Sequence, residues 1–235
     1  MDMLIAAAAV FLALHLLIAG TKLRDAITGI LGERAYLMLF SLASIAAIIW
    51  MALSYNAAQL GQNPQLYALG PHVTHLGIPL ILIAFWLGVQ GLFMANPTSV
   101  QQERAATKDG VVTGVLRITR HPFLWGVVIW AAFHLAANGD QASVIFFGTF
   151  FVLALLGTFS IDAKRKRKMG KAWDGFAAKT SNIPFGAVLT GRTKLKLSES
   201  FGWRFWVTLV IFAAVLLAHA HLFGVSPFPG GYVPV

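Results

Sequence analysis

The 235-residue sequence contains no cysteine and few charged residues. Without cysteine, the chain cannot form disulfides, use a thiolate nucleophile, hold a cysteine-bound iron–sulfur cluster or ligate haem iron through a thiolate. Charged residues make up only 11% of the chain and hydrophobic residues 57%, whereas soluble proteins carry roughly 25% charged residues. Acidic residues are especially scarce, with 9 Asp and Glu against 18 Lys and Arg. These shortages indicate an integral membrane protein, because such a chain cannot cover its apolar surface in water.

Six apolar runs approach the length of about 20 residues that a transmembrane helix needs. The fourth run is short, and Pro122 can open it because proline is tolerated in the first turn of a helix. The sequence therefore predicts an all-α, polytopic membrane helical bundle that forms one domain over 1–224, followed by an irregular tail over 225–235. The predicted spans are 3–20, 35–56, 76–95, 122–137, 142–161 and 205–224.

All 18 Lys and Arg residues fall in the loops that follow the first, third and fifth predicted spans. Because cytoplasmic loops collect these residues, the pattern predicts that the three basic loops face the cytoplasm and that both termini lie outside, in a plasma membrane of the bacterial type. Asp2 precedes the first span and the positive residues follow it, which is unlike a cleaved signal peptide. This topology also explains the net charge of +9 without nucleic-acid binding.

The longest polar stretch covers residues 162–203 and contains a run of five basic residues at 164–168. Next to a span, such a run is typical of an anchor that contacts anionic lipid, at about 1 kcal/mol per charge. Trp173 and Phe176 follow among further basic residues. This mixture predicts an amphipathic helix lying in the membrane interface, followed by a polar loop.

Histidine supplies nearly all the ionisable groups that the predicted spans would place inside the membrane. Such groups are costly in lipid and therefore indicate sites, and neutral imidazole is a common ligand of metals and of haem iron. A membrane histidine can also simply hydrogen-bond a neighbouring helix, which suffices for His72, His219 and His221 near the membrane surface. His15 and His134 are flanked by apolar residues, so this explanation fits them least.

Positions four apart in a helix differ by only 40° around its axis and therefore lie on one face. One such face of the predicted fourth helix combines small, aromatic and polar residues. Gly126 would let another backbone or a flat ligand approach closely. Trp130 would form a wall beside it. This face therefore makes a plausible half-pocket for a planar macrocycle, although the same residues also suit plain helix packing. Its members are Gly126, Trp130, His134 and Asn138.

The helical geometry limits which histidines could share one iron. His121 and His134 are thirteen residues apart and point about 140° away from each other, so one helix cannot present both to the same atom. A second ligand would come from another span, and His15 and His75 are the candidates. In predicted depth, His75 matches His134, while His15 matches His121 on the cytoplasmic side.

Segment 117–122, which reads Arg-Ile-Thr-Arg-His-Pro, resembles the NnrU family of integral membrane proteins when taken with Trp130, His134 and Asn138. The family includes carotenoid isomerases of the plant type. The resemblance extends over most of the chain, from Leu4 to about His219. Further matching positions are His15 with Arg24, and segments 32–34, 180–181, 184–185 and 191–192.

This resemblance implies haem b held by histidines in a membrane bundle. The two axial positions look like His15 and His134, while His75 and His121 look like the other family histidines. The implied chemistry is cis-to-trans rotation about a polyene double bond, or a redox role linked to nitrogen oxides. The resemblance does not identify the electron donor. Arg24 could neutralise haem propionates, or it could simply anchor the chain at the interface.

Arg120, like Arg24, could neutralise haem propionates or anchor the chain at the interface. It also forms part of a second resemblance. The run Arg120-His121-Pro122 with Gly126 is also similar to membrane methyltransferases of the isoprenylcysteine type. That resemblance implies S-adenosylmethionine bound at the cytoplasmic face. Leu124 stands where those enzymes have tyrosine, and only Asp162 stands where they have an acidic pair. A non-catalytic membrane scaffold or haem sensor is the third possibility.

Overall fold

The computed structural model describes residues 1–70, 72–108 and 110–228, and over these residues the protein is a bundle of apolar α-helices. The predicted fold class is confirmed, and each of the six apolar runs is helical. Part of the predicted tail, from residue 229, lies outside the described residues. The α-helices are α1 Asp2–Ala13, α2 Leu23–Leu31, α3 Glu33–Gln59, α4 His72–His75, α5 Gly77–Phe93, α6 Pro122–Ala137, α7 Gln141–Met169, α8 Lys171–Lys179, α9 Gly186–Leu189 and α10 Trp203–Phe223.

Short helical segments of other types connect these helices. A π-helical segment, Leu14–Ala19, prolongs α1, and 3-10 turns occupy Glu103–Thr107, Gly114–Arg117 and Leu197–Ser200. Among the described residues, four apolar helices are long enough to cross a membrane, namely Asp2–Ala19, Glu33–Gln59, Gln141–Met169 and Trp203–Phe223. The other two apolar helices, α5 and α6, have only 17 and 16 residues.

The packing order is α10, α5, α6, α7, and then α1 together with α3. At one end of the bundle, Lys164 of α7 donates to the Ala19 carbonyl at 2.5 Å. At the other end, the Gln141 amide donates to the Pro64 carbonyl at 3.0 Å. We call the first the basic end and the second the opposite end. It follows that α1 and α7 run away from the opposite end, whereas α6, which is joined to α7 by a short turn, runs toward it.

Glycine lets α5 and α6 approach almost to backbone contact. A Cβ atom on Gly126 would lie 2.6 Å from the Ala84 carbonyl oxygen, and one on Gly91 would lie 2.8 Å from the Phe123 nitrogen. No side chain fits in such a space, so these glycines set the spacing of the two helices. Of the two uses that the sequence left open for Gly126, the structure shows the approach of another backbone.

A polar cap closes the opposite end over the turn between α6 and α7. Asp140 accepts hydrogen bonds from Asn63 Nδ2 at 2.7 Å, Gln59 Nε2 at 3.0 Å and the Ser143 amide at 2.9 Å. The Leu66 amide donates to the Gly139 carbonyl at 2.8 Å. The loop after α3 is thereby tied to the start of α7.

The basic end holds a hydrophobic core of its own, which corrects the prediction for residues 162–203. Helix α7 continues to Met169, so the basic run 164–168 lies on its last turns. The following helix, α8, buries Trp173 and Phe176 at 3% and 2% exposure in a cluster with Leu87, Met94, Val115, Leu116 and Ile118. An interfacial helix would turn these aromatic residues toward lipid. Here they pack against protein, where each buried side chain stabilises the fold by about 2 kcal/mol.

Candidate functional site

His134 lies on α6, one turn before the opposite end, in a box of aromatic rings. Its Nδ1 lies 2.8 Å from the Trp130 carbonyl oxygen. Because a carbonyl only accepts, Nδ1 must carry the hydrogen, and the lone pair is then on Nε2. Nε2 makes no hydrogen bond to the described residues. The imidazole stacks on Phe147 at 4.7 Å and lies 5.0 Å from the Trp130 ring. A histidine held through one nitrogen by a carbonyl is the form that ligates metals.

His15 has the same local arrangement in the π-helical segment that ends the first span. Its Nδ1 lies 2.9 Å from the Phe11 carbonyl oxygen, which again leaves the lone pair on Nε2. The ring contacts Phe11 at 4.5 Å and Phe40 at 5.2 Å. π-Helical turns inside α-helices are frequent at functional sites.

His15 and His134 start from backbone positions on either side of the level of Phe150. Phe150 of α7 lies between them, with its ring 5.6 Å from Phe11 and 5.5 Å from Trp130. His15 lies four residues beyond Phe11 toward the basic end, and His134 lies four residues beyond Trp130 toward the opposite end. Each step is about 6 Å of helix, so the backbone positions of the two residues are offset by about 12 Å along the bundle. Both imidazoles lean back toward the level of Phe150, because each Nδ1 is held by the carbonyl four residues earlier.

His121 sits just before α6 at the basic end and is bound by a carboxylate. Its Nε2 lies 2.7 Å from Asp162 Oδ1 on α7, and only 2% of the residue is exposed. Asn182 Nδ2 donates to the other Asp162 oxygen at 3.1 Å, and Arg120 Nη1 lies 3.6 Å from it. Burial lowers the pKa of His121, although the hydrogen bond to Asp162 opposes this shift. Because the Asp162 carboxylate accepts, Nε2 carries the hydrogen and is no longer open to a ligand.

Arg120 and Arg24, the candidate partners of haem propionates, are each engaged by this chain. The Arg120 guanidinium lies over the Trp173 ring at 5.5 Å and donates to the Thr180 carbonyl at 3.2 Å. Arg24 lies over the Tyr36 ring at 5.3 Å and forms an ion pair with Glu33. Both guanidinium groups lie at the basic end, far from His134.

The remaining predicted residues take varied positions. His75 is exposed at the end of α4, and Asn138 donates from Nδ2 to the His134 carbonyl at 2.9 Å. Gly126 faces α5, whereas Trp130 faces Phe147 and Phe150. Within residues 1–70, 72–108 and 110–228, no three His, Asp or Glu side chains form a cluster that could hold a metal ion.

Sequence reasoning missed the carboxylates that organise the basic end. Asp162 was noted only as a departure from the methyltransferase pattern, yet it binds His121. Glu103 forms ion pairs with Arg165 and with Lys168, the latter at 3.0 Å. Glu199 pairs with Arg117 at 2.8 Å. The available signal was scarcity, because the chain has 18 cations and only 9 acidic residues. Asn182 gave no such signal.

Residues 3–227 match the NnrU protein family. The chain is also similar to the chloroplastic 15-cis-zeta-carotene isomerases of Arabidopsis thaliana and Zea mays, with 27% and 29% identity over 185 residues. In both cases the matched region is 74% of this chain and 47% of the relative. The chain therefore spans about half the length of these curated relatives. No solved structure matches the chain significantly. Because the family match covers nearly the whole sequence, the chain belongs to the NnrU family.

Proposed function

We propose that this protein is a membrane isomerase that rotates a cis double bond of a polyene to trans, with haem b bound through His134. The observation that carries the proposal is the likeness to 15-cis-zeta-carotene isomerases over three quarters of the chain. Membership of the NnrU family supports the same class of protein. The fold adds an environment suited to a hydrocarbon substrate, because the helices are apolar and long enough to lie in lipid.

The residues around His134 fit a haem ligand in their chemistry. Nδ1 is tied to the Trp130 carbonyl, so Nε2 presents a lone pair in the neutral tautomer. The backbone bond also fixes the orientation of the ring. Haem b would supply an iron centre that exchanges electrons and acts as a Lewis acid. The chain would supply the ligand, the orientation and a dry environment.

The aromatic side chains beside His134 would orient the substrate and exclude water. Trp130, Phe147 and Phe150 form a continuous set of ring contacts at 5.2 to 5.5 Å. Flat aromatic faces suit a flat conjugated chain. A polyene dissolved in the bilayer would reach this region laterally, without crossing water. In the part of the chain that the structure describes, no carboxylate contacts these rings, so proton transfer inside the bundle would depend on histidine.

The alternative functions have less support from these observations. A redox role linked to nitrogen oxides would use the same haem and belongs to the same family resemblance. A methyltransferase would need His121 to contact S-adenosylmethionine, and His121 Nε2 is occupied by Asp162. A scaffold without cofactor would leave the Nε2 atoms of His15 and His134 without a role.

The test combines a spectrum with an assay. The protein is purified in mild detergent, and spectra are recorded in the oxidised and dithionite-reduced states. We expect a Soret band and sharp reduced α and β bands, which are typical of histidine-ligated haem b. Reduced protein in liposomes that contain zeta-carotene with a cis bond at position 15 should convert it to the trans form. A His72→Ala control should retain this activity, and His134→Ala should lose it. Colourless protein, or coloured protein without turnover, would contradict the proposal.

A further inference from the structure

We propose that the cleft between α5 and α10 at the basic end binds one anionic phospholipid. The phosphate lies between Lys108 and Arg204, and one acyl chain lies in an apolar groove further along the same two helices. This inference goes beyond the proposed function and depends on neither haem nor isomerase activity. In the sequence, these two residues were not distinguished from the other 16 of the 18 basic residues.

The basic run 164–168, which the sequence favoured for contact with anionic lipid, is largely used inside the protein. Lys164 donates to a backbone carbonyl near the end of the first span. Arg165 and Lys168 both form ion pairs with Glu103. These side chains hold the basic end together, so a lipid phosphate needs cations elsewhere at this end.

A cavity of about 190 Å³ opens at the basic end where α5 finishes. Lys108, Thr113 and Arg204 bring polar side chains to its lining, and Met94 and Val111 bring apolar ones. The space admits a phosphate group and part of its glycerol. The cations would neutralise the phosphate, and the Thr113 hydroxyl can donate to one of its oxygens.

Lys108 and Arg204 have no carboxylate partner among the described residues. The carboxylates of the basic end bind other groups: Glu103 pairs with Arg165 and Lys168, Glu199 pairs with Arg117, and Asp162 binds His121 and faces Arg120. Two cations that line one cavity repel each other when no anion lies between them. A phosphate would offset this repulsion, so the charge of the cavity is complementary to an anionic headgroup.

Arg204 is already oriented for such a ligand. Its Nε donates to the Phe93 carbonyl at 3.0 Å, and its guanidinium lies over the Trp203 ring at 5.2 Å. The two terminal nitrogens make no hydrogen bond to the described part of the chain. A guanidinium fixed through Nε and its flat face keeps these terminal N–H groups for an anion, and two of them can bind a phosphate together.

An apolar groove of about 220 Å³ runs between α5 and α10 at a greater distance from the basic end. Leu82 and Trp86 line it from α5, and Phe205 and Thr208 line it from α10. Trp86 and Leu82 lie about 12 and 18 Å from Met94 along α5. The headgroup layer of a bilayer is only about 5–8 Å deep on each side. With a phosphate in the cavity, the groove therefore lies at the depth of the acyl chains.

The cavity and the groove belong to one site. Arg204 lines the cavity and Thr208 lines the groove, and residues four apart on α10 differ by only 40° around the helix. Trp203 and Trp206 are exposed at the same end of α10. Because tryptophan is enriched at the membrane–water interface, these rings indicate that the cavity lies at the headgroup level.

The first experiment titrates the protein in mild detergent with phosphatidylglycerol or phosphatidylcholine and counts the bound lipids by native mass spectrometry. We expect wild type to bind one phosphatidylglycerol in preference to phosphatidylcholine. The double variant Lys108→Gln with Arg204→Gln should bind phosphatidylglycerol about tenfold more weakly or worse. The control, Lys171→Gln with Lys179→Gln, removes the same charge from exposed positions of α8 and should bind like wild type.

Three results of this titration would overturn the inference. Equal weakening in both double variants would show a general electrostatic attraction without a site. Equal binding of the two lipids by wild type would show that anionic charge is not recognised. Displacement of phosphatidylglycerol by inorganic phosphate would show a site for soluble anions. If the double variant does not fold, Lys108→Gln alone, at an exposed position, must still weaken binding.

The second experiment tests the groove. Ile83 lines the groove and is 44% exposed, so Ile83→Phe fills the groove from its open side. The variant should weaken binding of dioleoyl phosphatidylglycerol and leave binding of the dihexanoyl form unchanged, because only the long chain reaches the groove. Ile49→Phe on α3, at a position 52% exposed, is the control and should bind both lipids like wild type. Unchanged binding of the long-chain lipid by Ile83→Phe would overturn the inference.

Discussion

His121 Nε2 lies 2.7 Å from Asp162 Oδ1, and this contact joins the residue before α6 to the final turns of α7. Asp162 also accepts a hydrogen bond from Asn182 at 3.1 Å and faces Arg120 at 3.6 Å. One carboxylate therefore connects α6 and α7 with the segment after α8. The side chain of Asp162 is 23% exposed, and that of His121 only 1%.

Asp162→Ala is expected to destabilise the protein by about 3 kcal/mol, because it leaves the buried His121 without its acceptor and removes the carboxylate that faces Arg120. The measurement is the unfolding temperature in mild detergent. Asp174→Ala is the matched control, since Asp174 is exposed on α8 and should have an effect within about 0.5 kcal/mol. Equal unfolding temperatures for the two variants would show that the Asp162 cluster does not stabilise the fold.

Glu103 gives a prediction for the dependence of stability on pH. Burial alone would raise the pKa of Glu103, but its backbone hydrogen bond and its contacts with Lys168 and Arg165 outweigh burial and lower the pKa to about 2. A lowered carboxyl pKa stabilises the folded state above the unfolded value, and this contribution is lost as the pH falls through the folded value. The contribution is at most about 3 kcal/mol.

Wild type should therefore be more stable than Glu103→Gln at about pH 6, and the difference should shrink steadily as the pH falls below about 4.5. Unfolding temperatures of both proteins, measured across this range in the same detergent, provide the check. A difference that stays constant with pH would mean that the ionisation of Glu103 contributes nothing to stability.

Gly126→Ala tests the close approach of α5 and α6. The new Cβ atom would lie 2.6 Å from the Ala84 carbonyl oxygen, so the helices must separate. We expect a loss of about 1–3 kcal/mol, as for other overpacked interiors. Gly148→Ala on α7 is the control, because nothing lies within 4 Å of its Cβ position and alanine favours a helix. Gly126→Ala with the stability of the control would contradict the packing described here.

The orientation of the bundle is a further prediction. The basic residues indicate that Lys194 faces the cytoplasm and that the chain end at Val235 faces the other side. Reporters that are active on only one side of the membrane, fused at these two positions, should give opposite signals. A cytoplasmic signal from the fusion at Val235 would invert the assignment.

Hydrophobic run length predicted the helical bundle well, since α3, α10 and α1 with its π-helical extension end within a few residues of the predicted spans. It failed where helices leave the membrane. Helix α7 continues to Met169 because Lys and Arg are good helix formers, whereas hydropathy records only the loss of apolar character. Composition likewise could not tell whether Trp173 faces lipid or protein, since both environments are apolar.

The candidate site was predictable only in part. Flanking apolar residues identified His134 and His15 as unusual, and the depth mismatch between them followed from counting residues. The partner of His121 could not be predicted, because Asp162 is distant in sequence. The contact between Phe85 and Phe212 defines the register of α10 against α5. No local sequence pattern encodes that register.

The haem content of His134→Ala, measured beside wild type and the exposed-histidine control His72→Ala, tests the central claim most directly. Reduced pyridine spectra give the amount of haem per protein. Wild type and His72→Ala should each retain haem, and His134→Ala should lose it because Nε2 of this residue is the proposed iron ligand. An unchanged Soret band and haem content in His134→Ala would contradict the claim.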